Sequence, residues 1–77
     1  MKTLSKILSN VLEIDERAVT DRTSPDTVTA WDSYNALLLV SELEDNFKVT
    51  FSMSEITSVK SVKDIKRILK AHGVKKI

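Results

Sequence analysis

Apolar residues recur at helical spacing in several stretches of this chain, separated by polar connections. Leu4, Ile7, Leu8, Val11 and Leu12 form one stripe and predict a first helix over about residues 3–14, with Thr3 as its N-cap. Ala36, Leu39, Val40, Leu43 and Phe47 form a second stripe and predict a helix from Ser33 to about Asn46. Leu37 and Leu38 broaden that stripe beyond one buried face. Such a helix is either central in a bundle or exposes apolar surface to a partner. Ser52-Met53-Ser54-Glu55 fits a capping box and opens a short third helix holding Ile56 and Val59. Ser61-Val62-Lys63-Asp64 repeats that pattern with a shorter acid. It opens a fourth helix, whose inward residues are Val62, Ile65, Ile68 and Leu69 and whose natural stop is His72-Gly73.

The connections carry less pattern. Asp15 to Trp31 has no helical or strand period, and Thr23-Ser24-Pro25-Asp26 marks a turn within it. A connection this long in a compact domain is often functional. Val19 and Val28 are its expected anchors, and a short helical turn near Asp15–Val19 remains open. Lys48-Val49-Thr50-Phe51 is too short for a strand with no partner, so Val49 and Phe51 are read as pins of a loop. The expected architecture is all-α, a four-helix bundle with three main helices, one short helix and a long first loop.

Composition narrows the chemistry. The 77 residues suit one small domain spanning 1–77. One Gly and one Pro argue against a β-rich fold. There is no cysteine, hence no disulfide framework, no zinc-cysteine site and no thiol nucleophile. Any thioester chemistry would need a thiol from a prosthetic group. No apolar run approaches a membrane span and no signal-peptide core is visible, so the expectation is a cytoplasmic protein without membrane contact. The net charge of +1 conceals an asymmetry: residues 31–59 set Lys48 against five acids, while residues 60–77 hold seven basic groups and Asp64.

Asp32-Ser33 carries the candidate chemistry. The Asp32 carboxylate suits an N-cap, and Ser33 then falls at the first helical position, where the helix dipole favours an attached anion. Ser33 is a plausible site for a phosphate ester. Taken singly, each piece has a plain structural explanation: Asp32-Ser33 as a helix start, Trp31 as packing, Leu37 and Leu38 as core, His72 against the last carbonyls of the fourth helix. No base accompanies Ser33, so a serine hydrolase has little support. Glu42, Glu44 and Asp45 lack metal-ligand spacing, and there is no Gly-rich phosphate loop.

In combination, these features resemble the acyl carrier protein family, which includes peptidyl carrier domains. Its motif is Asp-Ser-Leu at the start of the second helix, followed by an apolar helix ending in Leu-Glu-x-x-Phe. This chain has Asp32-Ser33-Tyr34 and Leu43-Glu44-Asp45-Asn46-Phe47 at the family's spacing. The resemblance implies a non-enzymatic carrier with 4′-phosphopantetheine on Ser33, attached by a phosphopantetheinyl transferase that also reads Asp32. The implied cargo is an acyl or aminoacyl group held as a thioester. Implied partners are acyl-loading and acyl-using enzymes that read Tyr34, Leu37, Leu38, Ser41, Glu44 and Asp45, with Glu55 on the third helix. The family is usually monomeric.

Several positions depart from the pattern. Tyr34 replaces the usual Leu, and Asn35 and Leu38 stand where many fatty-acid carriers have acids. Ser41 replaces a larger apolar residue, and Ala30-Trp31 replaces the usual Gly before the motif. Trp31-Asp32-Ser33 looks especially like stand-alone carriers of specialised biosynthetic clusters. The departures point to a dedicated pathway rather than housekeeping fatty-acid synthesis. Two other readings compete: an unmodified carrier-like interaction module, and a small nucleic-acid-binding domain using the basic fourth helix. The acidic second helix argues against the latter.

Overall fold

The second helix begins where its cap requires. The Asp32 carboxylate accepts the Asn35 amide at 2.9 Å, and α2 runs Ser33–Phe47. The computed structural model describes residues 3–77 and is all-α, with α1 at Leu4–Leu12, α3 at Met53–Ser58 and α4 at Val62–Ala71. No strand occurs among the described residues. None of these helices is long and apolar enough to cross a membrane.

The core joins α1, α2 and α4. Leu4, Ile7, Leu8 and Leu12 from α1 meet Leu39, Leu43 and Phe47 from α2 and Val62, Ile65, Ile68 and Leu69 from α4. Trp31 and Phe51 enter the same core from the connections. Both stripes of α1 and α4 face inward as the 3.6-residue period demands. The short α3 contributes no fully buried residue and is only half-buried at Glu55 and Ile56. It is held chiefly by its ends. Its capping box is complete: Ser52 Oγ accepts the Glu55 amide at 3.1 Å, and Glu55 Oε1 accepts the Ser52 amide at 2.9 Å.

α1 and α2 stop in the same way. Glu13 and Lys48 adopt left-handed conformations, at φ 55° and 57°, where a glycine is usual. Each is followed by a residue whose amide reaches back into the helix, Ile14 to the Ser9 carbonyl and Val49 to the Glu44 carbonyl. α4 ends instead with Gly73, at φ 89°.

The first connection is more structured than its lack of period suggests. Asp15 caps a 3-10 turn at Glu16–Ala18, accepting the Arg17 amide at 2.8 Å. Further on, hydroxyl groups act as turn formers. Thr23 Oγ1 accepts the Thr20 amide, and Thr27 Oγ1 accepts the Ser24 amide. Thr23 and Ser24 are buried, with Val19 and Val28 packed on the core.

α4 starts after Ser61 as expected, but this connection corrects how that start is capped. Ser61 sits at the N-cap, but its side chain makes no capping bond. Two loop carbonyls serve instead: Thr23 O accepts the Val62 amide at 2.9 Å and Asp21 O accepts the Lys63 amide at 3.1 Å. Asp64 turns to the Lys60 amide at 2.9 Å rather than completing a box with Ser61. The first-turn donors are already satisfied by the loop, so the hydroxyl has no task there.

Candidate functional site

Ser33 stands exposed at the first position of α2. Three contacts fix the backbone around it. Asp32 takes the Asn35 amide, the Asn35 side-chain amide donates to the Ala30 carbonyl at 2.7 Å, and the Trp31 amide donates to the Val28 carbonyl at 3.0 Å. Trp31 is thereby held in the core directly before the exposed Asp32-Ser33 pair. The amides of Ser33 and Tyr34 have no hydrogen-bond acceptor among the described residues. They lie at the positive end of a 15-residue helix. Asn35 is a functional residue that the motif spacing does not mark. An amide side chain in the first turn is the only signal that points to its stitching role.

A cleft of about 320 Å3 opens beside Ser33. Pro25, Trp31, Asp32 and Ser33 lie at one end. Ala36, Leu39, Val40 and Leu43 of α2 form one wall, and Phe51, Ile56, Val59 and Ile65 close the others. Its size falls at the lower end of the roughly 300–1,000 Å3 of small-molecule sites, and its lining is mostly apolar, as such sites are. Sequence periodicity gave no sign of it, because a cleft is a gap between elements and leaves no local pattern.

The remaining predicted site residues divide into two groups. Tyr34, Leu37, Leu38, Ser41 and Asp45 are exposed along α2, with Tyr34 at 70% and Leu37 at 63%. Glu44 and Glu55 are only half-exposed and have internal partners. Glu44 Oε2 accepts the Phe51 amide at 2.7 Å and ties the loop back to α2. Glu55 serves the α3 capping box and also meets His72, whose Nε2 donates to Oε2 at 2.9 Å. The Ser52 amide, and secondly His72, hold the Glu55 carboxyl below its ordinary value. His72 therefore faces α3 rather than the last carbonyls of α4. Its ring stacks on Phe51 at 6.0 Å, which fixes the imidazole over the loop and within reach of Glu55.

The family model described as a phosphopantetheine attachment site matches residues 2–69. The chain belongs to that carrier family. No curated protein matches the chain significantly. The assignment makes this a non-catalytic carrier whose family bears a 4′-phosphopantetheine attachment site. A phosphopantetheinyl transferase and acyl-handling enzymes are the partners the family implies. The geometry fits such a group: an exposed hydroxyl, two amides beside it with no acceptor among the described residues, and an adjoining apolar cleft.

Proposed function

We propose that Ser33 is the attachment residue, and that residues 1–77 act as one carrier unit for acyl or aminoacyl intermediates of a specialised biosynthetic pathway in the cytoplasm. The observation that carries this reading is the placement of an exposed Ser33 hydroxyl at the α2 N-terminus beside the apolar cleft.

The chain's residues have distinct tasks in this reading. Asp32 and Asn35 hold the first turn of α2, so that the Ser33 hydroxyl is presented on a rigid element. The Ser33 and Tyr34 amides, which have no acceptor among the described residues, would hold a phosphodiester at Ser33, where the helix dipole favours negative charge. When attached, the arm supplies the thiol that this cysteine-free chain lacks and holds the cargo as a thioester. The apolar walls from Ala36 to Leu43, with Phe51 and Ile56 opposite, favour burial of an aliphatic cargo.

The exposed Tyr34, Leu37, Leu38 and Ser41 offer partner enzymes a mainly apolar strip, with Asp45 as its acid. Glu44 and Glu55 are engaged internally, which leaves Asp45 as the exposed acid among these positions. That scarcity of exposed acids at these positions supports a dedicated pathway over fatty-acid elongation. A fluorescent coenzyme A analogue and a broad-specificity transferase test the attachment residue: the chain takes the label, and Ser33→Ala does not. Efficient support of standard fatty-acid elongation by the modified chain would contradict the pathway assignment.

A further inference from the structure

We propose that the outer face of α4 is a second docking surface, one that receives an acidic patch on a protein partner. It is separate from the α2 strip and does not depend on Ser33 or its modification.

The face is set by helical spacing. With Val62, Ile65, Ile68 and Leu69 buried, Lys63, Lys66, Arg67 and Lys70 fall together on the opposite side. They line a shallow concavity of about 600 Å3 together with Asp21 and Asp64. Lys66 Nζ meets Asp21 at 2.6 Å, and Arg67 Nη2 meets Asp64 at 3.3 Å. Lys63 and Lys70 have no ion-pair partner among the described residues. Both lie close enough to Asp21 to help Lys66 lower its carboxyl below the ordinary value. Four cations thus converge on two carboxylates, leaving two positive charges in excess. The main chain positions the cluster, because the Lys63 amide bonds to the Asp21 carbonyl.

Charge complementarity selects the occupant. A surface of uniform negative charge, such as a duplex or an anionic bilayer, would press against Asp21 and Asp64 within the patch. A folded protein offers a few spaced carboxylates, which can reach Lys63 and Lys70 while Asp21 and Asp64 keep their partners. Since α2 and α4 differ in sign, a partner that reads both must carry opposite charges at two places. Such a pattern selects one orientation of the carrier and rejects others.

The test uses the unmodified, isotope-labelled chain, titrated with a peptide whose glutamates are separated by glycine-serine spacers while amide resonances are followed. Saturable shifts confined to residues 60–70 and 21–23 are expected. The exposed pair Lys63→Glu/Lys70→Glu weakens binding about tenfold, whereas Lys75→Glu/Lys76→Glu, with the same change of charge, leaves it near the parent value. Ser33→Ala binds the peptide like the parent, so the outcome is independent of the carrier reading. Equal weakening by both pairs, or shifts at every lysine alike, would overturn the proposal. So would a response of the same face to duplex DNA or phosphatidylglycerol vesicles at lower charge concentration than to the peptide.

Discussion

His72 Nε2 and Glu55 Oε2 meet at 2.9 Å, joining the end of α4 to the middle of α3. The contact matters because α3 has no fully buried residue of its own, yet it borders the cleft through Ile56. Phe51 lies under the imidazole and lines the same cleft. One polar pair and one stacked ring therefore hold a wall that hydrophobic burial alone holds weakly.

The Glu55 carboxyl binds its proton less readily in the fold than in the unfolded chain, because the Ser52 amide and His72 favour the ionised form. Its contribution to stability is complete above the ordinary carboxylate value of 4.5 and is lost as the pH falls through the lower, folded value. Asp21 and Asp15, lowered mainly by Lys66 and Arg17, act in the same direction. Thermal melts should show Tm dropping in acid below that range. Glu55→Gln, which preserves an acceptor for the Ser52 amide, should lower Tm at neutral pH and make the acid slope shallower. An unchanged slope would remove Glu55 from the account.

Lys48 ends α2 in a left-handed conformation, at φ 57°. That conformation costs an L-residue roughly 1–2 kcal/mol, part of which the greater freedom of an unfolded glycine offsets. Lys48→Gly is expected to raise stability by about 0.5–1 kcal/mol in urea melts. A loss of stability would show that the Lys48 side chain has a packing role outweighing the backbone strain.

Local chemistry explains what the sequence made legible. Asp32, Ser52 and Glu55 each cap a helix through partners three residues away, so those starts could be read directly. The start of α4 at Ser61-Val62 was legible too, but its acceptors were not, because Asp21 and Thr23 supply them from a distant connection. The same distance hid the partner of His72. Glu44 and Glu55 read as surface acids, since nothing nearby reveals that Phe51 and His72 claim them. The hydroxyl-built turns of residues 20–28 lack hydrophobic period altogether, so only the turn at Thr23-Ser24-Pro25-Asp26 was legible and the role of Thr27 was not.

Leu37 and Leu38 are exposed, at 63% and 42%, so their replacement should leave the fold intact. If the transferase buries Leu37, Leu37→Glu removes about 1.5–3 kcal/mol of apolar contact. At about 1.4 kcal/mol per decade, kcat/KM for modification falls at least tenfold. Tm should change little. Undiminished modification would place the transferase elsewhere on the carrier.

Val40 is half-buried on the α2 wall of the cleft. Val40→Phe narrows that space without touching Ser33. The variant should accept the arm at the parent rate, yet an octanoyl thioester on it should hydrolyse faster in water than on the parent. Equal hydrolysis rates would mean that the cleft does not shelter the cargo.

The proposed function rests on Ser33 as the bearer of the arm. Its most direct test is the intact mass of the chain after incubation with coenzyme A, magnesium and a broad-specificity phosphopantetheinyl transferase, followed by peptide mapping. A gain of one phosphopantetheine, located on Ser33 and absent from Ser33→Ala, is expected. No gain with the parent chain, or the same gain in Ser33→Ala, would contradict it.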